Sequence, residues 1–477
     1  MSPQPGSLIS AGLGSKIGEA LLRLSGYLST WQNSEGLYGG LIATWWSSTL
    51  ETAVAHPMNQ YPIILGFLEL HKTGVGNMDW LTKARQAGDG LLSLVESDGS
   101  LKNSWGDIPG KTTGTVIFAG PALALSQLYL ASGEDKYLKG AGKLLDYIDR
   151  NFSVMGRNFD GVTNQAFKWC EAMISYRRAA GDERFLKRAN ALGRVYLPEQ
   201  IKKGPMAGAF YQGRSDDRLI TVYVGKCITP LIRLYQETGS AQFLDAAVKA
   251  SQYILRQESE RGIFLNYHMP SGRCYQLAGR IPRFDYLIFR RRGAVHRLWH
   301  LFISGWRRVE YPSFIARSGD TLRGVWLTSA YAPGLRPEAT RLVERFLGYQ
   351  YQNGGFPNTV GFFTDSLRPH WQDVCCPIRW NAYAFLLLST LCAEIDVCPP
   401  SSPGAAPERS SSEVSFTLDQ DYLFTETREA VELRSPRGEV IALIRKPSGQ
   451  VDLLADGWGG DLSGPRTGDR TNWYLAH

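Results

Sequence analysis

Hydrophobic residues recur at helical spacing along most of this chain. The stretch from Asp217 to Leu255 shows it most clearly. Ile228, Leu231, Ile232 and Tyr235 mark one apolar face, and Phe243, Leu244, Ala247 and Ile254 mark a second. Gly239 lies between them, where a helix ending in a left-handed residue places its glycine. The pattern predicts a helical hairpin, and each of its helices has one face that needs neighbours.

The unit repeats. Gly133 is followed by Tyr137, Leu138 and Ala141, Gly181 by Phe185, Leu186 and Ala189, and Gly239 by Phe243, Leu244 and Ala247, at identical offsets. Gly74, Trp80, Leu81 and Ala84 form the same unit with a longer turn, and degraded copies follow at 326–351 and 380–395. A further helix is expected over 16–31. Hairpins repeated in this way imply a stack with a shared core.

The period changes near the C-terminus. Residues 399–413 form a Pro/Ser-rich linker. Beyond it, residues around 415–455 alternate or are rich in β-formers between SPRG and KPSG turns. The expected organisation is a helical domain over 1–398 and a small β-rich module over 414–477.

The spacing of glycine, aromatic, leucine and alanine resembles that of the six-hairpin (α/α) toroid superfamily, over about residues 55–395. That superfamily includes unsaturated glucuronyl hydrolases, sugar epimerases and uronate lyases. The resemblance implies a mainly α (α/α)6-type toroid followed by the β module. It also implies a carbohydrate-active enzyme, with no subfamily assigned. Terpenoid cyclases share the double helical ring but need a run of acids, and Ser215–Asp217 lacks the first of these.

Polar and aromatic residues precede the first helix of each repeat. In a toroid these approaches gather at one rim, where helix N-termini also favour anions. Asp107, Asp160 and Asp217 are the candidate carboxylates for acid–base cleavage of a glycosidic bond. Asp217 leads, because the approach FYQGRSDDRLITVY combines acids, the aromatics Tyr211 and Tyr223 and the cations Arg214 and Arg218 immediately before the best-formed hairpin, with Lys226 following. Trp105 and Trp169 are expected to stack on a sugar, and Asn164 and Gln165 to hydrogen-bond its hydroxyls. An alternative is a uronate lyase or C5-epimerase. There Tyr267 or His268 takes the proton α to a carboxylate that Asn164 or Arg379 neutralises, with Trp380 adjacent. Epimerisation by histidines would draw on His56 and His370. A non-catalytic glycan- or protein-binding scaffold is the third reading.

Composition narrows the partner. The net charge is +7, and Arg280, Arg283, Arg290, Arg291, Arg292, Arg297, Arg307 and Arg308 face only Asp285 in one segment. Arginine forks match carboxylates, so an acidic oligosaccharide is the expected substrate. The segment 280–308 also reads as a protein or membrane-surface contact. No nucleic-acid-binding motif is present. The 7 cysteines include no CxxC and no Cys–His zinc pair, so neither metal nor cofactor is expected. No signal-like or membrane-spanning run stands out, and a cytoplasmic location is the expectation.

Overall fold

The structure is a computed structural model. It describes residues 10–29, 45–47, 52–54, 56–74, 78–102, 115–154, 157–158, 161–213, 216–271, 305–310, 313–360 and 378–394, and the strands between 414 and 453. The chain divides into two compact units.

The first unit is helical. Its helices are α1 (Ala11–Ser29), α2 (Pro57–Thr73), α3 (Trp80–Ser93), α4 (Val116–Ser132), α5 (Asp135–Phe152) and α6 (Thr163–Ala180). They continue with α7 (Glu183–Tyr196), α8 (Thr221–Thr238), α9 (Ala241–Leu255), α10 (Gly319–Ser329), α11 (Arg336–Leu347) and α12 (Ile378–Cys392). Among the described residues, α2, α4, α6, α8, α10 and α12 pack side by side in sequence, and α12 returns to α2. The ring is closed. Outside it, α3 packs on α2, α5 on α4, α7 on α6, α9 on α8 and α11 on α10. The N-terminal helix α1 packs on α12, so the two ends of the toroid form its last hairpin. The expected (α/α)6 toroid is the observed architecture.

Sequence separates the two layers. Outer helix α5 buries Tyr137, Gly140, Ala141, Leu144, Leu145 and Ile148, a single stripe at three- and four-residue steps. Inner helix α4 buries Ile117 through Ser126 without interruption. Such a helix requires neighbours on every side, and α2, α3, α5 and α6 supply them. Each fully buried leucine or phenylalanine contributes about 1.5–3 kcal/mol. Close approach within the inner ring needs small residues. A Cβ on Gly225 of α8 would lie 2.3 Å from Thr321 Oγ1 of α10, and one on Gly66 of α2 would lie 2.5 Å from Phe385 of α12.

The hairpin turns follow the repeat. Gly74, Gly133, Gly181 and Gly239 all end inner helices in the left-handed region. Gly239 donates its N–H to Tyr235 O at 2.8 Å. Two-residue turns after α4, α6 and α8 force each outer helix to run back, so the starts of the inner helices collect at one end. Helix α1 begins at Ala11, five residues before the expected start. Gly12 and Gly14 argue locally against a helix there, but Ser10 Oγ accepts the N–H of Leu13 at 3.3 Å, and Leu13 and Ile17 are buried.

Short strands accompany the helices: β3 (Ser153–Val154) pairs with β4 (Arg157–Asn158), and β8 (Ser313–Phe314) with β9 (Thr359–Val360). β5 (Leu219–Ile220), β6 (Tyr267–Ser271) and β7 (Gly305–Val309) form an antiparallel sheet at the entrance to α8, with Leu219 opposite His268 and Ile220 opposite Tyr267.

The second unit takes in β1 (Trp45–Ser47), all but the last residue of β2 (Thr52–Val54) and five C-terminal strands. These are β10 (Val414–Leu418), β11 (Tyr422–Glu426), β12 (Ala430–Arg434), β13 (Val440–Arg445) and β14 (Val451–Leu453), an antiparallel meander in chain order. The linker 399–413 lies outside the described residues.

Candidate functional site

The approach to α8 separates two adjacent carboxylates. Asp216 is taken up locally: Arg218 Nη2 lies 2.7 Å from its Oδ2, and the Arg218 N–H donates to its Oδ1 at 3.0 Å. Asp217 is buried, 4% exposed. Neither residue caps the helix, because the residue at the N-cap is Ile220. Tyr211, on the strand-like segment before them, is fully buried and stacks on Trp306 with ring centroids 6.4 Å apart.

The next layer is aromatic. Arg317, just before α10, is buried, and its guanidinium lies over the rings of Trp380 (4.4 Å), Phe314 (4.8 Å) and Tyr223 (5.4 Å). It also donates to Tyr223 Oη at 3.3 Å. Tyr223 and Tyr267 pack on the cluster of Ile220, Val222 and Phe314. Residues at the entrances of α8, α10 and α12 therefore meet around one arginine, an arrangement worth about 0.5–2 kcal/mol per cation–ring contact.

One turn deeper, side chains cross the ring axis. Lys168 of α6 lies 4.9 Å from the ring of Tyr61 on α2, and Lys226 of α8 lies 4.3 Å from the ring of Tyr383 on α12. Both contacts skip an intervening inner helix, so they lie on the axial side. Lys168 Nζ is 2.6 Å from Glu171 Oε2, and both side chains are buried. Burial opposes their charges, but each sits beside the other. The Lys168 ammonium is held above its ordinary range by Glu171 and Asp320, and the Glu171 carboxyl below its own by Lys168 and Arg323. Both stay ionised. Tyr61 is hydrogen-bonded to Tyr383, and burial, Tyr383 and Asp320 push its phenol well upward.

The remaining expected residues occupy different settings. Gln165 Oε1 accepts the Val116 N–H at 3.2 Å and so ties α6 to the start of α4. Asn164 is buried beside it, and Trp169 is covered on both faces. His268 points away from Tyr267, toward outer helix α9, with Nδ1 3.4 Å from Tyr253 Oη. Burial and then Arg308 push the imidazole down to about 4, so it is neutral at physiological pH. His56 caps α2 by accepting the Met58 N–H at Nδ1, 3.2 Å. Asn381 holds Phe356 through both its backbone groups. Trp105, Asp107, Asp160 and His370 lie outside the described residues, as do Arg280 to Arg297 and the side chain of Arg379. Among the described residues no His/Cys/Asp/Glu cluster could hold a metal. No helix described is long and apolar enough to cross a membrane.

Arg317, Lys168, Glu171 and Asp320 carry no repeat signature. The legible signal was a lysine and a glutamate three residues apart in FKWCEAM, a helix otherwise apolar at that level.

No family model matches the chain, and no curated protein matches it. Solved structures do. A sugar epimerase from a ruminal bacterium superposes with a TM-score of 0.58 at 15% identity, covering 81% of this chain and 100% of its own. D-mannose isomerase gives 0.56 at 12% identity, covering 83% and 100%. An inactive variant of the α-1,6-mannanase GH76A of Salegentibacter sp. HEL1_6, in complex with α-1,6-mannotetrose, gives 0.53 at 13%, covering 80% and 99%. All are carbohydrate-active enzymes built on the (α/α)6 toroid, and at these identities what this chain shares with them is that architecture.

Proposed function

We propose that this chain is a carbohydrate-active enzyme that cleaves a glycosidic bond in a uronate-containing oligosaccharide, with Asp217 as the acid or base. The observation that carries this reading is the burial of Asp217 in the approach to α8, at the end where the inner helices start, while Arg218 pairs with its neighbour Asp216. In such a reaction a carboxylic acid protonates the leaving oxygen as the bond to the anomeric carbon breaks, and a carboxylate takes a proton from the attacking water. Tyr223 and Trp380, which pack on Arg317 at the same end of the ring, would supply the aromatic surface for a sugar. The mannanase neighbour is rendered inactive by replacing two consecutive aspartates, and this chain carries Asp216 and Asp217 in succession at the mouth.

A second reading is favoured by one contact. Arg317 lies 3.3 Å from Tyr223 Oη, so a uronate carboxylate neutralised by the guanidinium would hold its α-proton near a phenol. That is the arrangement a lyase or C5-epimerase needs.

Turnover of a uronate oligosaccharide panel by wild type and Asp217→Asn separates these. Asparagine keeps the size of the side chain and removes the titrating group. Loss of hydrolysis at an unchanged melting temperature supports the hydrolase. An unsaturated product still formed by the variant supports the lyase. Binding by wild type without turnover supports a glycan-binding role, and full hydrolysis by the variant ends the Asp217 assignment.

A further inference from the structure

We propose that Lys226 recognises an anionic substituent of the ligand, the carboxylate of a hexuronate or the phosphate of a hexose phosphate. This rests on the sugar reading above and names the group at the mouth that selects for charge.

The first observation is accessibility. From Leu219 to Ile232, along the entrance and first three turns of α8, every residue is buried except Tyr223 and Lys226. These two are three residues apart and so share a face. Lys226 reaches Tyr383 across the ring, so this face is axial, and solvent-accessible space extends down the axis to the second turn of α8.

The second observation is charge. Lys168, the other lysine at this depth, is neutralised by Glu171 at 2.6 Å. Arg323 donates to Thr390 Oγ1 at 2.9 Å and also faces Glu171. Lys226 contacts the Tyr383 hydroxyl at 3.2 Å and the face of its ring, and among the described residues no carboxylate lies within ion-pair distance of it. An ammonium has three donors, and Tyr383 takes one. The group is thus a positive charge held by an aromatic face, partly shielded from water, with two donors beyond the one that Tyr383 takes. Coulomb attraction is stronger there than at a solvated surface. Tyr223, one turn nearer the mouth on the same face, would lie beside the sugar ring while Lys226 meets its acid group.

The test is equilibrium binding to the full chain. The probes are disaccharides of glucuronate, galacturonate and mannuronate, the neutral disaccharides of the same linkages, and glucose 6-phosphate, each at low and high salt. We expect an acidic probe to bind wild type more tightly than its neutral counterpart, with salt weakening only the acidic probe. Lys226→Met should weaken the acidic probe about tenfold or more and leave the neutral one unchanged, while Lys226→Arg should retain most of the preference. Preference for hexuronates identifies a carboxylate, and preference for glucose 6-phosphate a phosphate. The comparison within wild type reads the preference even if the methionine variant fails to fold. Equal binding of acidic and neutral disaccharides by wild type overturns the role of Lys226 and leaves the sugar reading standing. Binding of no probe overturns both.

Discussion

Lys168 and Glu171 form a buried ion pair on α6, with side chains 5% and 7% exposed. Removing one partner leaves the other charged in a poorly solvated site, so Glu171→Ala should cost about 3–5 kcal/mol in urea denaturation. The double substitution Lys168→Met with Glu171→Leu should recover most of that loss. A single variant as stable as wild type would show that the pair is not buried as described. His268 makes a second prediction at this scale. Its folded pKa of about 4 lies below the ordinary imidazole value near 6.5. Above pH 6.5 the contribution to stability is complete. As pH falls from 6.5 toward 4 the unfolded chain binds a proton that the folded chain does not, and up to about 3 kcal/mol is lost. His268→Gln should flatten the fall in melting temperature across that window, and parallel curves would contradict the assigned environment. Asp217 was legible because acids and aromatics cluster before a regular helix. Lys168 and Glu171 are not legible in the same way, because a lysine and a glutamate three residues apart also describe a solvated helix face, and only the ring places this face on the axis.

Helices of the two layers differ in how plainly they announce themselves. Outer helices such as α5 show one apolar stripe, so period alone finds them. Inner helices such as α4 are buried at nearly every position of their first half, and the repeat glycine finds them instead, through its left-handed turn. The pairing of α1 with α12 was not legible: an apolar stripe shows that a helix has a partner without saying which, and these two lie at opposite ends of the toroid. Inner helices also depend on glycine for their spacing. A methyl group on Gly225 would meet Thr321, which is fully buried and short, so neither can yield without moving α8 or α10. Gly225→Ala should therefore destabilise by about 1–3 kcal/mol, read as a lowered melting temperature. An unchanged value would mean that α8 and α10 are less closely apposed than described. The C-terminal strands were legible from alternation and turns, because each of the five runs is bounded by glycine, proline or polar residues.

At the scale of the whole toroid, ring closure matters most for function. Six helix starts meet at one end, and residues far apart in sequence, Tyr223, Arg317 and Trp380, become neighbours. The toroid itself was legible in the repeat. The mouth was legible only as a set of approaches, since which residues cross the axis depends on helix rotation, and no local pattern records that. The aromatic residues expected to receive a sugar divide accordingly: Trp169, Tyr211 and Trp380 are buried, the last against Arg317, whereas Tyr223 is partly exposed beside the same arginine. The arginine segment, read as the source of charge selectivity, lies mostly outside the described residues, and Lys226 offers a cation within the ring itself. The most direct measurement is a crystal structure of the Asp217→Asn variant soaked with a uronate oligosaccharide that wild type turns over. The predicted result is a sugar at the mouth between the starts of α8, α10 and α12, in contact with residue 217 and Tyr223 and with its carboxylate at Lys226. A sugar bound at the opposite end of the ring, or on the β unit, would contradict it.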